Sequence, residues 1–229
     1  MIEDPPLLKL RRNFPRPSAE QLAAFADVPT GFIVDALHGR AALDSQIKPV
    51  SNDQAKFHGV AVTADNGPAD NLAAFCAIEV AGPGDVIMAA ADGFRATAVS
   101  GDLMLGIARN RGCVAFVTDG HVRDITGIVE VGMPCFAAGV TPNSPVRNGP
   151  GTVGLPIVIG GVQVDAGDIV VGDIDGVVTV PHAKIDHVIS VLAEIKTAEA
   201  AMDAEVRGGM TTAPFIRDFF NSGRIEEVD

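Results

Sequence analysis

A chain of 229 residues, 47% hydrophobic and 20% charged, carries enough apolar surface for a sizeable core, which excludes a disordered polymer. Its formal net charge of −12 excludes a basic groove for nucleic acid and leaves small molecules, or a partner that accepts an acidic surface. Cys76, Cys113 and Cys135 lie in apolar contexts without a C-x-x-C pair, the N-terminus lacks signal-peptide character, and no apolar run reaches membrane length, so a cytoplasmic protein with reduced thiols is expected.

Residues 1–17 carry Pro5, Pro6, Pro15 and Pro17 and read as an extended N-terminal arm. Ser18-Ala19-Glu20-Gln21 is a capping box, so a helix starts there. Thr30 is placed as the cap of a second short helix, 31–37, that stops at Gly39. Residues 57–64 alternate as a strand. Asp70 is read as the cap of a helix over 71–80 with Leu72, Phe75, Cys76 and Val80 facing inward. A Gly82-Pro83-Gly84-Asp85 turn then leads into a strand over 86–89.

The richest stretch is 100–125, SGDLMLGIARNRGCVAFVTDGHVRDI. Ser100-Gly101-Asp102 opens a helix whose apolar face is expected at Leu103, Met104, Ile107 and Ala108. Residues 113–118 are a continuous apolar run, the pattern of a strand covered on both faces. Gly101, Asp102, Leu103 and Met104 are either an ordinary cap or an anion cradle at a helix N-terminus. Arg123-Asp124 is either a surface pair or a fork for a carboxylate beside an anchor for a hard cation. His121 reads as a solvated turn histidine. No nucleotide loop, metalloprotease motif or G-x-S-x-G elbow occurs, and none of the five lysines sits in an apolar strand that would desolvate it for Schiff-base chemistry.

Beyond this stretch, 131–132 end a short helix and 134–138 form a strand. Residues 141–154 are a long Pro/Gly/Asn-rich loop of the kind that often carries function. A meander of short strands with glycine turns covers 156–180. A long helix over 184–207 has an apolar seam of Val188, Leu192, Ile195, Met202 and Val206, in which Glu199 takes an apolar place. Glu199 either marks where the helix leaves the core or waits for a partner from a metal-bound water, a guanidinium or another subunit. Residues 208–229 form a tail that packs as a cap or reaches a neighbouring subunit.

Taken together, 101–125, GPGDVIM at 82–88, PCFAAGVTP at 134–142 and IGGVQVDAGDIVVGDIDGVVTVP at 159–181 resemble the RraA-like family. That family includes the regulator of ribonuclease E activity A and the class II 4-hydroxy-4-methyl-2-oxoglutarate/4-carboxy-4-hydroxy-2-oxoadipate aldolases. The resemblance implies an α/β fold, a three-layer β/β/α sandwich of the swivelling-domain type over 18–207, assembled as a homotrimer or homohexamer. It implies that the amides of Leu103 and Met104, next to Gly101, hold a pyruvyl carboxylate and that Arg123 contacts the pyruvyl oxygens. It further implies that Asp124 anchors Mg²⁺ or Mn²⁺ largely through water, that Asp102 positions a water for proton transfer, and that Glu199 acts from the adjacent subunit. The activity implied is metal-dependent cleavage of a 4-hydroxy-2-oxo acid to pyruvate, with oxaloacetate decarboxylation as a side reaction. The alternatives are a non-catalytic regulator that binds a ribonuclease, and an oligomer that binds a small acid without turnover.

Overall fold

The computed structural model describes residues 6–228, so Pro5 and the rest of 1–5 of the expected arm, and Asp229 of the tail, lie outside the described residues. Four strands, Phe57–Asp65, Asp85–Ala90, Ala115–Thr118 and Cys135–Ala137, run parallel in that spatial order and form the middle of a nine-stranded sheet. Each is apolar on both faces, and alternation decides which face a residue serves. Ile87 and Ala89 face one way, while Val86, Met88 and Ala90 face the other.

On the first face lie the helices Leu72–Val80, Asp102–Asn110 and Ile125–Val131. The opposite face is covered by the hairpin Ile157–Ile159/Val162–Val164, with Leu43 and Ile47 beside it. These layers match the β/β/α sandwich expected. The meander does not stay in one sheet. Its second hairpin, Ile169–Asp173/Gly176–Val180, joins the main sheet along residues 57–60, and Gly151–Val153 takes over the same edge at residues 64–65. A third apolar cluster forms where this hairpin meets the helices Thr30–Ala36 and Ile185–Arg207.

Several local expectations change. Thr30 lies inside its helix, and the cap comes from a distance: the Asp173 carboxylate accepts from the Thr30 amide and hydroxyl, each at 2.9 Å. Helix Leu72–Val80 buries Ala73, Ala74, Ala77 and Ile78, not Leu72, Phe75, Cys76 and Val80. That helix is apolar almost all round, so its face is chosen by fit, and the alanine side lets it lie close on the sheet. Helix Asp102–Asn110 likewise buries Met104, Leu105 and Ala108, and leaves Leu103 (80% exposed) and Ile107 (50%) outside. Cys113 and Cys135 are buried free thiols, pushed up to about 11 and about 12 by desolvation, whereas Cys76 is half-buried.

The described part of the N-terminal arm, residues 6–17, is held at several points. Leu8–Leu10 pairs in parallel with Gly151–Val153, and a Cβ on Gly149, Gly154 or Gly167 would collide with the arm's carbonyls. Arg16 ends the arm in a bidentate pair with Asp85, at 2.7 and 2.8 Å, and Asp85 is fully buried. Arg16→Met should remove about 3 kcal/mol, the low end for breaking a buried pair because the guanidinium is half-exposed, and lower Tm by roughly 6–12 °C. Thermal unfolding measures it, and adding Asp85→Asn should recover part of the loss, since no buried charge is then left alone.

Candidate active site

At the carboxyl ends of the parallel strands the chain builds a further, three-stranded sheet. Ala98–Ser100, His121–Val122 and Gly139–Val140 lie side by side in parallel, each reached from the end of a different central strand. The Arg123 amide donates to the Ser100 carbonyl and the Thr141 amide to the Val122 carbonyl, both at 3.0 Å. Three segments far apart in sequence therefore emerge together at one edge. A cleft of about 260 Å³ opens there, lined by 98–104, Arg123, Asp124 and the loop residues Ser144, Pro145 and Arg147.

Gly101 is the N-cap of helix Asp102–Asn110, in extended backbone and without a side-chain cap. Its missing side chain matters, because a Cβ there would sit 2.5 Å from Asp124 Oδ2 and 3.2 Å from Arg123 Cγ. The Arg123–Asp124 pair thus lies directly over the start of the helix. Arg123 Nε is 3.1 Å from Asp124 Oδ2, and Arg123 Nη1 donates to Ser144 Oγ at 2.6 Å. Asp124 adopts left-handed backbone (φ 59°) as it starts helix Ile125–Val131, which turns its carboxylate back toward the cleft.

Asp102 faces the same helix from the other side. Its Oδ1 accepts from the Leu103 amide at 2.7 Å, so an incoming carboxylate at that N–H competes with Asp102. A Cβ on Gly127 would fall 2.5 Å from Asp102 Oδ2, so helix Ile125–Val131 carries a glycine where the aspartate packs. The cleft therefore brings together Gly101, Asp102, Leu103, Met104, Arg123 and Asp124. Glu199 is not among its lining residues; it is exposed on the outer half of helix Ile185–Arg207, where Met202 and Val206 are exposed as well.

His121 departs from the solvated turn expected. It lies in a strand, its Nδ1 is buried without a partner, and burial together with Arg95 pushes the imidazole below its usual value. Three residues of the cleft carried no role in the sequence: Asn71, Ser144 and Arg147. Asn71 is buried, donates through Nδ2 to the Val99 carbonyl at 2.9 Å, and leaves Oδ1 without a partner. The Arg147 guanidinium stacks over the Phe75 ring, 5.0 Å from its centroid. The only available signal for Ser144 and Arg147 was their place in a long, glycine- and proline-rich loop.

No group of three or more His, Cys, Asp or Glu that could hold a metal, as a closed zinc-type site would, occurs among the described residues. Asp124 is a partly exposed carboxylate at the cleft, with Asp102 as the other carboxylate of its lining. That suits a Mg²⁺ or Mn²⁺ ion whose remaining positions are filled by water and ligand oxygens, which such ions accept.

The model of the RraA-like family, described as Aldolase/RraA, matches residues 30–179. The chain belongs to the RraA-like family. It is 40% identical over 168 residues, 73% of this chain and 80% of the relative, to a Halalkalibacterium halodurans protein named "Putative 4-hydroxy-4-methyl-2-oxoglutarate aldolase". It is 30% identical over 113 residues, 49% of this chain and 69% of the relative, to a Thermus thermophilus 4-hydroxy-4-methyl-2-oxoglutarate aldolase. Among solved structures it is similar to the RNA-processing inhibitor RraA of Thermus thermophilus, with a TM-score of 0.62, 28% identity, and coverage of 68% of this chain and 93% of the other. This RraA-like chain carries its cleft residues 101–104, 123–124 and 144–147 inside the matched span and Glu199 beyond it. Among the described residues, no helix is long and apolar enough to cross a membrane.

Proposed function

We propose that this RraA-like chain is a divalent-metal-dependent aldolase that cleaves a 4-hydroxy-2-oxo dicarboxylic acid to pyruvate, with oxaloacetate decarboxylase side activity. The observation that carries this reading is the stacking of the Arg123–Asp124 pair over Gly101, at the amino end of helix Asp102–Asn110. The helix end favours the substrate's 2-oxo carboxylate through its dipole and its first-turn N–H groups, of which that of Leu103 is taken over from Asp102. Arg123 sets a fixed positive charge where carbon–carbon cleavage leaves negative charge on the pyruvyl oxygens. Mg²⁺ or Mn²⁺ held at Asp124 supplies Lewis-acid polarisation of the 2-oxo group. Asp102 and Arg147 both line the cleft; in this reading Asp102 holds the water that exchanges a proton with the product carbon, and Arg147 gives a second cation for a distal carboxylate. Glu199 completes the site from a neighbouring copy in a homotrimer or homohexamer. Its absence from its own cleft's lining and the exposure of Leu103 and Ile107 within that lining support this arrangement.

The test is pyruvate release from 4-hydroxy-4-methyl-2-oxoglutarate and from oxaloacetate, read by coupled lactate dehydrogenase with Mg²⁺ or Mn²⁺ and with EDTA. Absence of metal-dependent pyruvate from both acids refutes the enzyme reading. Asp102 gives a sharper expectation. Gly127→Ala should push that carboxylate aside and slow turnover by about 100-fold, as misplacement of a positioned group by an ångström does. Gly106→Ala, on helix Asp102–Asn110, where a Cβ would meet only Val131 Cγ2 at an ordinary 4.0 Å, should leave turnover intact and stabilise by about 1 kcal/mol. Equal turnover in the two variants would remove Asp102 from the mechanism.

A second reading is a regulator that binds a ribonuclease. Two observations favour it: the net charge of −12 and the solved neighbour described as an RNA-processing inhibitor. EDTA and an Arg123→Ala variant discriminate, since inhibition of a ribonuclease by an acidic surface needs neither metal nor Arg123.

A further inference from the structure

The loop that brings Ser144 and Arg147 to the cleft does not hold itself in place. Its backbone is gripped by Asp70, a buried carboxylate outside the cleft lining. Asp70 Oδ2 accepts from the Asn148 amide at 2.6 Å and the Gly149 amide at 3.0 Å, while Oδ1 accepts from the Leu72 amide at 2.8 Å. Around it, the Val146 amide donates to the Ala69 carbonyl and the Asn71 amide to the Val146 carbonyl, so 69–71 and 146 form a parallel bridge. On the other side of the loop, the Ala98 amide donates to the Asn143 carbonyl, and Asn143 Nδ2 to the Ala96 carbonyl. Residues 143–149 are thus tied at both ends, with Ser144 and Arg147 between the ties.

From this geometry we propose that Asp70 is a positioning residue: it fixes the reach of Arg147 into the cleft and so makes the site select acids with a carboxylate distal to the 2-oxo end. The proposal rests on the aldolase reading of the cleft. Asp70 fits the task because all three of its contacts are backbone N–H groups. Only an acceptor-only side chain satisfies them, and an amide in its place turns an NH₂ group against at least one N–H. The effect runs to Arg147 through its direct neighbour Asn148, whereas the Asp70 carboxylate's own bonds go to Leu72, Asn148 and Gly149 and not to the start of helix Asp102–Asn110.

The experiment measures binding of two probes to the full-length protein with Mg²⁺ by titration calorimetry. Oxalate reports only the 2-oxo carboxylate end, and 2-oxoglutarate adds a distal carboxylate. In Asp70→Asn the affinity for 2-oxoglutarate should fall about tenfold or more and that for oxalate less than about twofold, as expected when one charge-assisted contact is lost at a single end. Arg147→Ala should show the same split, and the double variant should lose nothing further. In turnover, Asp70→Asn should raise KM for the dicarboxylic substrate with kcat nearly unchanged. Should Asp70→Asn fail to fold, Asp70→Glu keeps the anion, shifts its oxygens by one methylene, and reads the same split. Equal loss of both probes, or of neither, overturns the proposal and leaves the aldolase reading standing. A native protein that binds neither probe overturns the aldolase reading itself.

Discussion

Arg123→Ala is expected to lower the proposed metal-dependent pyruvate release by about a hundredfold to a thousandfold, the usual loss when a preorganised donor to a developing oxyanion is removed. The size follows from how firmly this guanidinium is set. Asp124 holds it at Nε and Ser144 at Nη1, so its remaining N–H groups keep a fixed direction over the helix start. Little reorganisation is then needed as charge builds on the substrate, and that is the condition under which a charge contributes most to rate. Arg123→Lys should recover only a small part. One ammonium cannot keep Asp124, Ser144 and the ligand in the same planar fork. The effect belongs in kcat more than in KM, because the charge it answers grows only as the carbon–carbon bond breaks. Coupled lactate dehydrogenase kinetics separate the two. A variant within threefold of the native rate would mean that Arg123 is only a surface partner of Asp124.

Two inactive variants should make an active mixture. Glu199→Ala and Arg123→Ala, each nearly without turnover alone, are expected to recover about a quarter of native activity when coexpressed in equal amounts, as random assembly of a closed ring dictates. Each site in such a ring takes Arg123 from one chain and Glu199 from the next, so one junction in four carries both. A carboxylate acting within its own chain would leave the mixture as inactive as its parts. The expectation grows from placement: Glu199 lies on the exposed half of a 23-residue helix whose buried residues end at Leu192. A helix extends about 1.5 Å per residue, so Glu199 stands roughly 10 Å beyond that last buried turn. Light scattering of the same samples shows whether the ring has formed, which separates lost assembly from lost chemistry.

Much of this was legible in the sequence, and the boundary has a physical cause. The capping box at Ser18–Gln21, the apolar run ending at Thr118 and the long helix ending at Arg207 are signalled by neighbours within a few residues, and they sit where expected. Which face of a helix is inward is settled by what lies opposite. Leu72–Val80 is apolar on nearly every side, so hydrophobicity could not rank Phe75 against Ala74. Asp173 capping Thr30 across 143 positions is invisible to any local pattern, as is Asp70 gripping Asn148. Gly101, Asp102, Arg123 and Asp124 were recognisable as a group from their motif. Their stacking was not, because it depends on two glycines whose importance appears only where another segment crosses them.

The small parallel sheet of Ala98–Ser100, His121–Val122 and Gly139–Val140 separates two kinds of tolerance to change. Residues delivered by its first two strands run directly into helices Asp102–Asn110 and Ile125–Val131, which pack on the main sheet, so an inserted residue there would shift buried side chains beneath. The segment leaving its third strand is tied to the body only at separate points, and can lengthen or change composition between them. Such a division lets descendants of one scaffold diversify in the acids they accept while the bond-breaking end of the cleft stays mechanically fixed.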